Sequence, residues 1–146
     1  MTARLGGMAL AVALLGGCRQ QQAEVKPDSG HMIYMARCAV CHGETGQGLP
    51  GQYPALAGSA WVSGPPERLA AIILDGMQGP VRNYNAVMPG WRGVLQDAEI
   101  AAVMTWLRQA AGKPPVTPVE VSHVHIETEG RNTFWTAGDL QTLRIH

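Results

Sequence analysis

Two cysteines spaced three apart, with a histidine directly after the second, constrain this chain more than any other stretch: Cys38-Ala39-Val40-Cys41-His42. Thiols at that spacing reach the two vinyl groups along one side of a porphyrin, and the following imidazole is presented to the iron. This is the C-x-x-C-H arrangement of covalent c-type haem attachment. A zinc half-site would need a second ligand pair, and no other cysteine pair exists in the sequence. A thioredoxin-like pair would sit in a βαβ pattern, which the sequence does not contain. Aromatic residues make up only 5% of the chain, little for a self-sufficient core. A buried porphyrin would supply the missing apolar area, at roughly 25 cal/mol per Å² removed from water.

The 146 residues carry 11 Lys plus Arg against 11 Asp plus Glu, so the formal charge is zero. That argues against a nucleic-acid binder, which shows a basic patch or stripe. The third cysteine, Cys18, ends an apolar N-terminal run. Arg4 is the positive start of that run and Met8-Ala9-Leu10-Ala11-Val12-Ala13-Leu14-Leu15 its apolar middle, far short of the roughly 20 residues that cross a bilayer. Leu15-Gly16-Gly17-Cys18 resembles a bacterial lipobox. The resemblance implies a signal peptide over residues 1–17, cleavage before Cys18, and lipidation of that cysteine. The alternative is an ordinary secretory signal that leaves a spare thiol.

On the lipobox reading, residues 18–29 are expected to be the lipidated cysteine and a polar tether. A globular domain is expected over residues 30–112. Lys113-Pro114-Pro115-Val116-Thr117-Pro118 opens a proline-rich linker, and a C-terminal tail completes residues 113–146. With no internal repeat, the chain carries one haem. Helices are expected from about Gly30 to Val40, from Pro65-Pro66 to Gly76, and along the stripe Ile100, Val103, Met104, Leu107 and Ala111. Asp97 and Glu99 favour the macrodipole at the start of that last helix, and Gly112 ends it. In the tail, Val119-Glu120-Val121-Ser122-His123-Val124-His125-Ile126 alternates like a strand. Thr136 and Asp139 open a short terminal helix, with Phe134 and Trp135 just before it as anchors for the domain or for a partner.

A c-type haem iron takes a second axial ligand, and methionine opposite histidine raises its potential. Beyond the leader the methionines are Met32, Met35, Met77, Met88 and Met104. Met32 and Met35 lie too near Cys38 to reach the opposite face, and Met104 belongs to the apolar stripe. Met77 ends a helix. Met88 lies in the loop Asn85-Ala86-Val87-Met88-Pro89-Gly90, which can cross the haem face, so Met88 is favoured over Met77.

Residues 30–112 resemble a class I cytochrome c. Gly30 and Tyr34 match the small residue and aromatic that precede the first cysteine in that family, and Trp106 stands where the family packs an aromatic of its last helix against them. His42-Gly43, Gly46-Gln47-Gly48, Tyr53-Pro54-Ala55-Leu56-Ala57-Gly58, Met88-Pro89-Gly90-Trp91 and Leu95-Gln96-Asp97-Ala98-Glu99-Ile100 also match. The departure is Gln96, where Ser, Thr or Asn is usual; a weaker cap loses about 1 kcal/mol. The resemblance implies an all-α, class I cytochrome c fold wrapped around one covalent haem c, with one haem edge near solvent; the proline-rich break adds an extended C-terminal tail to this expectation. It assigns Cys38 and Cys41 to the porphyrin, His42 and Met88 to the iron, and the Pro54 carbonyl to the proximal imidazole N–H.

Further residues carry paired readings. His31 is expected to face solvent. Tyr53 and Trp61 either bond a haem propionate or pack in the core. Arg82 and Arg92 flank the Met88 loop as a basic rim for an acidic partner, or as ordinary solvated arginines. His123 and His125 would share one face of a strand, a weak copper or zinc site. The expectation is a lipid-anchored electron carrier on the periplasmic side of a bacterial envelope, exchanging single electrons with a dehydrogenase, an oxidase or another cytochrome. The competing readings are a haem sensor or enzyme that binds gas or peroxide after displacing Met88, and a metal-handling lipoprotein.

Overall fold

The computed structural model describes residues 29–80 and 84–145. Seven helices follow in chain order among them: α1 (Ser29–Arg37), α2 (Ala39–His42), α3 (Ala60–Ser63), α4 (Pro66–Asp75), α5 (Asp97–Gln109), α6 (Pro118–Glu127) and α7 (Ala137–Thr142). No strand occurs among the described residues, only isolated bridges, so the all-α expectation holds. The leader, Cys18 and the tether through residue 28 lie outside the described residues, as does Arg82. No described helix is long and apolar enough to cross a membrane.

α1 packs against α5 at close range because Gly30 has no side chain. A Cβ there would run into the Ala102 carbonyl and the Trp106 Cβ. One helical repeat on, Tyr34 is fully buried and its ring lies 4.4 Å from that of Trp106. The expected single helix through Val40 is interrupted at Cys38, where ψ is −36° but φ opens to −110°, and α2 resumes at Ala39.

α4 begins with Pro66, whose missing N–H is an orphan at a helix start anyway, and buries every residue from Leu69 to Leu74. α5 buries Ile100, Ala101, Val103 and Met104. At its start the Glu99 carboxylate accepts the Gln96 N–H at 2.8 Å, the reciprocal half of a capping box. α5 stops at Gln109, three residues before Gly112, and the Lys113 N–H closes the end on the Arg108 carbonyl at 3.0 Å. Arg108 is buried and donates to the carbonyls of Val62 and Gly64, both at 2.8 Å, tying α5 to the end of α3.

The tail corrects the expectation most. Residues 118–127 form a helix, not a strand. Thr117 and Glu120 make a capping box around Pro118. Val121, Val124 and Thr128 are buried at helical spacing, while Val119 and Ile126 stay exposed. The alternation of valines suggested period two, but the cap and the buried face follow 3.6. α6 lies on α4 and α5 and α7 buries Leu140, so the tail is part of the core and is not extended.

Candidate functional site

α2, the loop after it, α4 and the residues around Met88 enclose a cavity of about 420 Å³. This is within the roughly 300–1,000 Å³ of small-molecule sites. Cys38, Cys41 and His42 line it, as do Met77, Met88 and Pro89. The remaining wall is mainly apolar, with Leu56, Trp61, Leu69, Ile72, Ile73 and Leu107.

Both cysteines are free and partly exposed. Burial, and then the neighbouring Cys41, push the Cys38 thiol up to about 11. It is therefore protonated at neutral pH, unlike the low-pKa thiolate of a redox-active C-x-x-C pair.

His42 is buried, and its Nδ1 lies 3.0 Å from the Pro54 carbonyl oxygen. Burial lowers its pKa, against the opposing effect of that carbonyl bond. The neutral ring donates through Nδ1 and keeps Nε2 as the free lone pair, the arrangement of a metal-binding histidine oriented by a backbone carbonyl. The chain between the two residues builds this contact. Leu49 and Tyr53 exchange backbone hydrogen bonds at 2.9 and 2.8 Å, and the Leu56 N–H donates to the Gly46 carbonyl at 2.8 Å, which brings Pro54 back over α2.

Met88 is held by its backbone. It exchanges two hydrogen bonds with Met77, at 2.8 and 3.0 Å. Met77 and Met88 both reach the cavity, whereas Met104 is fully buried in the core and Met32 and Met35 are exposed. A neutral nitrogen from His42, soft sulfur from either methionine, two thiols at attachment spacing and an apolar wall fit a covalently held haem.

Tyr53 and Trp61 line the cavity. Arg37 reaches over the Trp91 ring at 5.9 Å. Arg92 is not a free rim charge. It pairs with Asp75 at 2.6 Å and donates to the His125 carbonyl and the Thr128 hydroxyl. His31 is exposed and stacks on Trp106. His123 and His125 do not share a face, because residues two apart on a helix diverge. His125 turns to Asp97 at 2.7 Å. Among the described residues no group of three or more His, Cys, Asp or Glu side chains could hold a metal ion.

Asp75 and Arg108 organise the surroundings of the cavity without any signal of their own in the sequence. The capping box at Thr117 was legible as Thr-x-x-Glu.

Residues 25–107 match the family described as cytochrome c oxidase, cbb3-type, subunit III. The chain is 40% identical over 111 residues to cytochrome c-552 of Thermus thermophilus, covering 70% of each. It is 33% identical over 101 residues to the cytochrome c subunit of the quinone alcohol dehydrogenase of Gluconobacter oxydans, covering 66% of this chain and 21% of that one. It is 32% identical over 114 residues to the thiosulfate dehydrogenase electron acceptor of Thiomonas intermedia, covering 76% of this chain and 49% of that protein.

Proposed function

The chain belongs to the cytochrome c family, whose members bind haem c covalently and transfer electrons, and from that premise we propose a single-haem electron carrier with His42 and Met88 as axial ligands, held by lipid on Cys18 at the periplasmic side of the envelope. The observation that carries the ligand assignment is the convergence on one apolar cavity of the Cys38-to-His42 motif and the backbone-pinned Met88.

Haem c supplies an iron that takes up and releases one electron. The residues of this chain do the rest. Cys38 and Cys41 would hold the porphyrin covalently beside α2. The Pro54 carbonyl holds the His42 ring in one tautomer and orientation. Met88 offers a neutral sulfur that favours the reduced state and so raises the potential. The mainly apolar wall would place the group in a low-dielectric setting. Val40 and Val87, exposed at 86% and 55%, stand at the cavity lip and give a redox partner an apolar surface to meet.

The similarity to a dehydrogenase cytochrome subunit and to an electron acceptor supports a dehydrogenase, an oxidase or another cytochrome as that partner. Residues 18–29 tether the haem domain near membrane redox complexes and raise its effective concentration there. Several acyl chains on Cys18 would make the anchoring stable.

The ligand assignment is tested on haem-loaded protein by comparing Met88→Ala with Met77→Ala. Met88→Ala is expected to lose the far-red sulfur-to-iron band and to bind carbon monoxide, while Met77→Ala keeps the band. The reverse pattern would make Met77 the ligand. Cys18→Ser is expected to move the protein from the membrane to the soluble fraction; retention in the membrane would end the anchor reading.

A further inference from the structure

Met77 lies between two chain segments that arrive from different parts of the sequence. On one side it exchanges both backbone hydrogen bonds with Met88. On the other, the Trp135 N–H donates to the Gly76 carbonyl at 3.0 Å, and the Gln78 N–H donates to the Trp135 carbonyl at 2.8 Å. The result is an antiparallel bridge, Met77 to Met88, beside a parallel bridge, Met77 to Trp135. Gly76, at φ 77°, makes this convergence possible. A Cβ there would meet the Met88 carbonyl oxygen, the Gly90 nitrogen and the Phe134 ring.

Side chains repeat the connection. The Trp135 ring N–H donates to Asp75 at 3.2 Å, and the other oxygen of Asp75 accepts Arg92, four residues past Met88. Arg92 in turn reaches α6 through the His125 carbonyl and the Thr128 hydroxyl. Trp135 is 6% exposed and the Arg131 guanidinium covers its ring at 3.6 Å. A bridge of two hydrogen bonds standing alone is marginal in water. With Trp135 on its far edge, the bridge that carries Met88 is backed on both sides of Met77.

We propose that Trp135 is a positioning residue for Met88: the C-terminal segment completes the bridge at Met77 and so limits how readily the Met88 sulfur leaves the haem. The inference rests on the reading of Met88 as axial ligand. It gives the tail a function in electron transfer, because a sulfur that stays in place keeps the potential high and keeps exogenous ligands from the iron.

The test uses full-length, haem-loaded protein carrying Trp135→Ala, Trp135→Phe or Leu140→Ala. Leu140 is buried in α7 and takes no part in the bridge hydrogen bonds. Trp135→Ala is expected to weaken the far-red band, lower the reduction potential and speed carbon monoxide binding to the ferrous protein roughly tenfold, the size of known remote couplings. Trp135→Phe, which keeps the ring but loses the bond to Asp75, should move all three readouts the same way by less. Leu140→Ala should lower the melting temperature and leave the three unchanged. Unchanged band and binding rate in both Trp135 variants would overturn the proposal, as would an equal effect from Leu140→Ala. If Trp135→Ala does not fold, Trp135→Phe decides alone. Met88→Ala separates the two readings: a far-red band that survives it would remove the axial assignment, and this inference with it.

Discussion

The Tyr34 ring lies 4.4 Å from the Trp106 ring, while its hydroxyl donates to the Gly43 carbonyl at 2.6 Å. One buried side chain thus joins α1, α5 and the residue that follows His42. The helix crossing and the orientation of the haem-attachment motif share this joint.

Tyr34→Phe keeps the ring contact and removes the hydroxyl. It is expected to lower the stability of the haem-loaded protein by about 1 kcal/mol in urea unfolding, the net value of a typical hydrogen bond. Burial is the larger cause that pushes the Tyr34 hydroxyl up from 10.0, and it remains when Cys38 is bound as a thioether. A raised pKa favours the neutral form in the folded state. Its stabilisation is complete below pH 10.0 and is lost as pH rises through the raised folded value. The wild type should therefore lose its advantage over Tyr34→Phe across that window, and a difference that persists above it would contradict the assignment.

Arg92→Ala should destabilise more. The Asp75 side chain is only 4% exposed and would keep a single donor, the Trp135 ring. Breaking a largely buried pair from one side costs about 3 kcal/mol. The same substitution frees α6 from the loop after Met88. Hydrogen exchange is expected to speed up along residues 118–128 as well as beside residue 92, and a loss confined to the neighbourhood of residue 92 would argue against that connection.

The helix that starts at Pro118 depends on its cap. Thr117→Ala is expected to reduce stability at neutral pH by about 1 kcal/mol, the usual contribution of such a cap. Hydrogen bonds from the Thr117 backbone and hydroxyl hold Glu120 below its ordinary value of 4.5. A lowered carboxylate pKa stabilises the fold above the ordinary value, and this is lost as pH falls through the folded one. The gap between wild type and Glu120→Gln should thus be present at pH 7 and close on acidification below 4.5. A gap independent of pH would assign the effect to packing.

The haem-attachment motif, α4 and α5 were legible because each carries a local signal: the C-x-x-C-H spacing, Pro66 at a helix start, and the stripe from Ile100 to Leu107. α6 was misread because its valines alternate over a few residues, and short apolar runs fit either period. The Thr117-to-Glu120 cap would have decided it. Asp75 could not be read at all: its partners Arg92 and Trp135 lie 17 and 60 residues away. Arg108, with carbonyl partners 44 and 46 residues distant, is the same case. The preference for Met88 came from its loop position, yet the fold sets Met77 beside it through a backbone pairing that no spacing rule announces.

The most direct measurement is the absorption spectrum of the haem-loaded wild-type protein, oxidised and then reduced, with and without carbon monoxide. A low-spin spectrum with the weak far-red sulfur-to-iron band, unmoved by carbon monoxide, is the predicted result and means His42 and methionine ligation in an electron carrier. A high-spin spectrum, or one that shifts readily with carbon monoxide, would contradict the account and place the chain among haem proteins that bind ligands at an open iron.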